Sequence, residues 1–205
     1  MDTWAAVFLL SHFLFTSSVQ SAPTPSLPPA FQETAVRANA LVEKILKILP
    51  AAHSATISIQ GLSLDSSTQT SNLHLMEPSL GVPASPFLKQ PSAHFTLDMC
   101  VSRMLAGVQM YQDLLEVLST SLSGLEDLRS DLRDLLTHIN KMKEVAQLEG
   151  DGSDQNPSLD LVSGLKDSYR VQVAAHLTLT QLRSFCHDLI RTFRVLPSYG
   201  AAGAR

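Results

Sequence analysis

Apolar side chains recur along this chain at helical spacing in four long segments, separated by stretches of quite different composition. In the first, Phe31, Ala35, Ala38, Val42, Ile45 and Leu49 alternate steps of four and three. That is the seam of an amphipathic helix. It predicts a helix over 30–49, opened by Pro28 and Pro29 in "SLPPAF" and ended at Pro50. In the second, Leu97, Val101, Met104, Val108, Tyr111, Leu115, Leu118 and Leu122 keep the same rhythm, predicting a helix over 93–122. The third runs through Leu125, Leu128, Leu132, Leu135, Ile139, Met142 and Ala146, a helix over 125–148. The fourth, over 171–196, carries Ala175, Leu179, Leu182, Cys186, Leu189, Phe193 and Leu196 before Pro197, leaving "SYGAAGAR" as a frayed tail.

The connections set the expected architecture. Residues 50 to about 91 are rich in Ser, Thr and Pro, with one short helix expected near Leu73 to Met76. Ser123 and Gly124 mark a short turn, and "LEGDGSDQNPSLD" followed by a weaker segment from Leu159 to Tyr169 makes a moderately long link. A long connection, a short turn and another long connection predict an all-α, long-chain four-helix bundle with up-up-down-down topology and a long first crossover. With 205 residues, 44% hydrophobic and 17% charged, one such core is the expectation.

The amino-terminal stretch changes the picture of where the chain works. From Trp4 to Phe15 there is no Lys, Arg, Asp or Glu, and small polar residues follow, as in a secretory signal peptide. Val19 and Ser21 suit cleavage before Ala22, so residues 1–21 are expected to be removed and 22–205 to be the secreted domain. No Lys or Arg precedes the apolar run, which leaves a signal anchor as the alternative. Removing Asp2 leaves 15 basic and 18 acidic residues, a balance that argues against nucleic acid or anionic lipid as partners. No later segment is expected to enter a membrane.

Candidate chemistry is sparse. Two cysteines, Cys100 and Cys186, allow one bridge at most, so packing must supply the stability. Either one disulfide or two buried thiols fits them. No zinc spacing, phosphate loop or nucleophile motif is present, and the seven histidines are scattered. No enzyme activity, metal or cofactor is expected. Asn156 is followed by Pro157, so no N-glycosylation acceptor exists, although the Ser/Thr/Pro-rich stretches could carry O-linked sugars. Asp127, Asp131, Asp134 and His138 fall at i, i+4, i+7 and i+11, one acidic stripe along the third helix. It is either a solvated face beside Arg129 and Arg133 or a docking edge for the arginines of a partner.

The stretch "CVSRMLAGVQMYQDLL" resembles the signature of the interleukin-6, granulocyte colony-stimulating factor and myelomonocytic growth factor family. Cys100, Gly107, Tyr111 and Leu115 match it; Val108 replaces a leucine, and Gln90 stands where the family has its first cysteine. "SLPPAF", "SLGVPASP", "LEDLRSDLRDLLTHINKM" and "VQVAAHL" are similar to further stretches of the family's colony-stimulating members. The resemblance spans nearly all of residues 22–205. It implies a secreted class I cytokine that bridges receptor ectodomains on haematopoietic cells and stimulates granulocyte or myeloid growth.

Carried over residue by residue, the family's major receptor contact falls on Glu43, Asp131 and Asp134. Its second contact falls on Asn72, with Asp65 and Glu77 nearby, and is left unassigned. Cys100 is half of a family disulfide whose partner position is Gln90. Gly107 is expected to admit a neighbouring backbone, such as the first crossover. Two other readings stand beside this one: an interleukin-6-like cytokine with a different receptor set, and a secreted helical lipid-binding protein.

Overall fold

A computed structural model describes residues 27–64, 73–89, 95–148 and 161–202. The expected signal peptide lies outside the described residues, as do Asp65, Asn72, Gln90 and Asn156. The described residues are mostly helical, and the chain is all-α. In chain order the helices are α1 (Pro29–Thr56), α2 (Glu77–Leu80), α3 (Leu97–Ser119), α4 (Glu126–Val145), α5 (Leu161–Gly164) and α6 (Ser168–Ala202). A 3-10 turn, His74–Met76, leads into α2.

The long helices form because their seams can be buried together. Every seam position of α1 from Phe31 to Leu49 is buried, as are all those of α6 and, in α3, all from Leu97 to Leu118; Leu122 and Ala146, beyond α3 and α4, are partly buried. Helix α1 packs on α4 and α6, and α3 packs on the same two, so each long helix has two long neighbours around one core. Residues of α1 and α4 meet in opposite order along the chain. Thr56 donates to the Ser123 carbonyl, Lys44 pairs with Asp131, and Arg37 lies across from His138. These two helices are therefore antiparallel. Helix α3 is started by Thr96, whose hydroxyl accepts from the Met99 amide at 3.2 Å. Such a cap meets one of the unbonded donors of the first turn.

Two helices outrun their prolines. Helix α1 continues through Pro50 to Thr56, although Pro50 cannot donate to the Leu46 carbonyl. The reason is tertiary. The buried stripe goes on after Leu49 through His53 and Thr56, which are polar and so extend no apolar seam in the sequence. Both are held by neighbours: His53 by His176 at 2.9 Å, and Thr56 by the Ser123 carbonyl at 3.1 Å. Helix α6 likewise passes Pro197 and reaches Ala202, so most of the expected tail is helical. Proline interrupts only the bond to the preceding turn, and that turn is anchored here by buried Phe193 and Leu196. At the other boundaries α3 starts four residues later and ends three earlier than the periodicity predicts, α4 starts one later and ends three earlier, and α6 starts three earlier.

The first crossover is strapped to α6. Gln172 Oε1 accepts from the Ser58 amide, the Ser58 hydroxyl and the Ile59 amide at 2.9, 3.0 and 3.1 Å. Arg183 donates to the Leu64 carbonyl at 3.1 Å, and Gln181 to Glu77 at 2.9 Å. These bonds tie residues 58, 59, 64 and 77 of the crossover to α6.

Gly107 and Gly164 mark the two closest approaches. A Cβ at Gly107 would lie 2.3 Å from Phe185 Cζ, so its neighbour is an aromatic ring of α6 and not the backbone expected from the sequence. The Phe185 ring is buried against Tyr111, centroids 5.3 Å apart. The backbone approach occurs at Gly164, where a Cβ would meet the Leu80 carbonyl oxygen at 2.5 Å. There α5 locks onto the end of α2.

Candidate functional site

The residues singled out as a partner-binding set lie along the junction of α1 and α4, but in three different situations. Asp134 is exposed and lines a cleft of about 390 Å³ together with Arg37, Ala40, Leu41, Lys44, Thr137 and His138. Asp131 is buried, with 4% of its surface exposed. It lines an adjoining pocket of about 260 Å³ with Lys44, Ile48, Asp127 and Ser130. Glu43 is exposed and accepts from Asn39 along its own helix at 3.1 Å. One residue is about 100° of helix, so Glu43 stands beside Lys44 without lining either cleft.

The helical spacing explains the arrangement. Asp127, Asp131, Asp134 and His138 share one side of α4, the side turned toward α1, so all four border the two clefts. Arg129, which the sequence places beside this stripe, turns away and pairs with Glu116 of α3. The stripe is thus a junction between helices, neither wholly solvated nor wholly buried.

Lys44 is the residue that sequence reasoning did not include. Its Nζ donates to Asp131 Oδ1 at 2.6 Å, and it borders both clefts. The hydrogen bond to Asp131 raises the Lys44 pKa above its ordinary value; desolvation opposes this, and the charges of Asp131, Asp127 and Asp134 add to it. The available signal was the position of Lys44, next to the seam residue Ile45, on a helix expected to neighbour the acidic one. What the linear pattern lacks is the antiparallel register that sets 44 opposite 131.

A second polar contact joins α1 to α6. His53 Nε2 and His176 Nδ1 lie 2.9 Å apart, in rings 5% and 1% exposed with centroids 5.2 Å apart. One nitrogen of the pair donates and the other accepts. Burial lowers the His53 pKa, because the charged ring would lose its hydration.

The cysteines are not joined. Cys100 and Cys186 are both free and buried, and desolvation raises each thiol pKa to about 12. The Phe185 ring lies level with Gly107, which places Cys186 near that turn of α3. Cys100 is seven residues away, about 10 Å along the axis, beyond the 4.4–6.8 Å Cα separation of disulfides. A thiol held neutral in this way is a poor nucleophile.

Glu77, near the position that the resemblance gives to a second contact, opens α2 and accepts from Gln181 of α6. Asn72 and Asp65 lie outside the described residues. Among the described residues no group of three His, Cys, Asp or Glu could hold a metal ion, and no helix is long and apolar enough to cross a membrane. Compared with protein-family models, with curated proteins and with solved structures, the chain matches none.

Proposed function

We propose that this chain is a secreted, non-enzymatic cytokine of the granulocyte colony-stimulating type, built as an up-up-down-down four-helix bundle. It would act by bridging class I cytokine receptor ectodomains on myeloid cells. The reading starts from the family resemblance of the sequence. The observation that supports it best is the α1–α4 junction, where Asp131 and Asp134 border adjoining clefts with exposed Glu43 one residue from Lys44. A receptor surface laid along this junction would meet exposed Glu43 and Asp134 directly and buried Asp131 through its partner Lys44. The short α3–α4 turn, the antiparallel α1–α4 contact and the long crossover before α3 agree with that topology.

Burial of Asp131 alters the experiment. Alanine there removes the partner of Lys44 as well as a carboxylate, so a loss of binding could come from a changed junction. Glu43 and Asp134 are exposed and free of that ambiguity. The double variant Glu43→Ala, Asp134→Ala, checked for native helicity, should bind a receptor ectodomain about tenfold more weakly or worse, in line with the cost of breaking interfacial charge pairs. Granulocyte colony growth should fall in parallel. A folded double variant with unchanged binding overturns the assignment.

An interleukin-6-like cytokine would share this fold, and ectodomain preference separates the two. A lipid-binding protein would have to open its helices. Flotation with liposomes at physiological salt separates that reading, since a cytokine stays in the soluble fraction.

A further inference from the structure

Past Pro50 the end of α1 is held mainly by polar contacts. Between Leu49 and Ile57 its buried side chains are His53 and Thr56 alone, with Ala52 partly buried. His53 meets His176 of α6 at 2.9 Å, and Thr56 donates to the Ser123 carbonyl at 3.1 Å. One turn before His176, on the same side of α6, Gln172 holds the Ser58 and Ile59 amides. Pro50 has no N–H for the Leu46 carbonyl, so this stretch is joined to the rest of α1 by one bond fewer. A segment so poor in buried apolar contacts opens more readily than the core beside it.

The histidine contact depends on both rings being neutral. One ring supplies an N–H and the other a lone pair. A first added proton makes an imidazolium that still donates to the neutral ring, but it places a charge within rings 5% and 1% exposed. A second leaves two N–H groups facing each other with no lone pair between them. The charged residues of the surrounding elements are engaged elsewhere or exposed. Glu116 of α3 pairs with Arg129 of α4, Glu126 receives the Gly124 amide, Asp167 and Arg170 pair at the start of α6, and Lys47 of α1 is exposed. Farther along α6, Arg183 donates to the Leu64 carbonyl, and Glu77 of α2 accepts from Gln181. At His53 burial is the one cause of the lowered pKa, with no nearby charge offsetting it.

We propose that the His53–His176 pair is an acid-released latch: its protonation frees residues 51–59, the end of α1 and the start of the crossover, while the four long helices stay packed. In the open form both rings lie in water and bind protons as ordinary histidines do. Acid below pH 6.5 therefore pulls the segment open, and it closes again as the protons leave. The Lys44–Asp131 junction lies on the other side of Pro50 and stays paired. The latch does not depend on the chain being a cytokine.

Amide hydrogen exchange of the ¹⁵N-labelled full secreted chain, corrected for the intrinsic rate at each pH, measures the opening. Amides of residues 54–59 should be less protected than those of residues 108–115 in α3 at every pH, which marks a local event. Between pH 7.5 and 5.5 their protection should fall about tenfold if opening takes up one proton and about a hundredfold if it takes up two.

Replacing both rings, His53→Gln with His176→Gln, should remove this pH response, because glutamine cannot take up the proton. If that chain does not fold, His53→Gln alone should cut the response about threefold or more. Pro50→Ala restores the bond to the Leu46 carbonyl and should raise the protection of residues 54–57 about threefold or more at pH 7.5, with α3 unchanged. Protection at 54–59 equal to that in α3, an opening independent of pH, or a full pH response in a folded histidine variant overturns the proposal. So does a Pro50→Ala chain whose residues 54–57 exchange as before.

Discussion

Lys44–Asp131 and His53–His176 both join α1 to a long neighbour through polar side chains, yet they differ in what can reach them. The first is open on one side: the lysine side chain is 60% exposed, the aspartate 6%, and two clefts run along it. The second is shut, with both rings at 5% exposure or less. An open polar junction can exchange partners with another molecule, so it is where recognition can occur. A sealed one answers only to protonation or unfolding. The α6 side of the molecule carries the sealed features together: the histidine pair, the Phe185 ring over Gly107 and the buried Cys186.

The contrast can be broken most severely at Phe185. Phe185→Ala should destabilise the fold by about 3–5 kcal/mol, as expected for a large buried aromatic, whereas exposed Asp134→Ala should stay within about 0.5 kcal/mol. Urea unfolding of the two variants measures the gap. Because Gly107 lacks a Cβ to admit the ring, Gly107→Ala should be costly alone and close to neutral in a Phe185→Leu background. That departure from additivity is read by a double-mutant cycle.

Acid should discriminate the two junctions next. His53 has a folded pKa below 6.5, so as pH falls below 6.5 the unfolded chain takes up a proton that the native state refuses. Stability from this group is complete above 6.5 and is lost as pH falls toward the folded pKa, with a slope of up to about 1.4 kcal/mol per pH unit. His53→Gln should flatten that part of the stability profile. Lys44→Met should leave the slope in place, since the raised lysine pKa titrates far above it.

The smallest effect on stability, and the sharpest on accessibility, belongs to the thiols. At pH 8 iodoacetamide should add to neither Cys100 nor Cys186 in the native chain, and to both after denaturation without reductant. Intact mass reads both results. A denatured chain that takes up no label would mean a bridge.

Much of the fold is legible in the linear pattern because heptad seams need only local spacing to be seen. Phe31 to Leu49, Leu97 to Leu118 and Ala175 to Leu196 are buried as their periodicity predicts. The misreadings have a common cause. Pro50 and Pro197 look like stops because a proline disrupts its own turn, and past Pro50 the residues that hold the helix, His176 and Ser123, lie far away in the sequence. His53 and Thr56 continue a buried stripe but break an apolar one, and only His176 and Ser123 account for them. In the candidate site, spacing alone places the four residues of the stripe on one side of α4. It cannot say that Asp131 is inside and paired, because that depends on which α1 residue arrives opposite.

Sequence by itself thus determined the all-α class, the approximate course of four long helices, and the alignment of Asp127, Asp131, Asp134 and His138 on one face. Each follows from the 3.6-residue turn, a property of neighbours in the chain. Tertiary structure alone decided that Lys44 holds one oxygen of Asp131, that Phe185 fills the notch at Gly107, and that Cys100 and Cys186 stay apart. Those facts depend on the register of one helix against another. Register is set by the packing of whole faces, to which no short stretch of sequence has access.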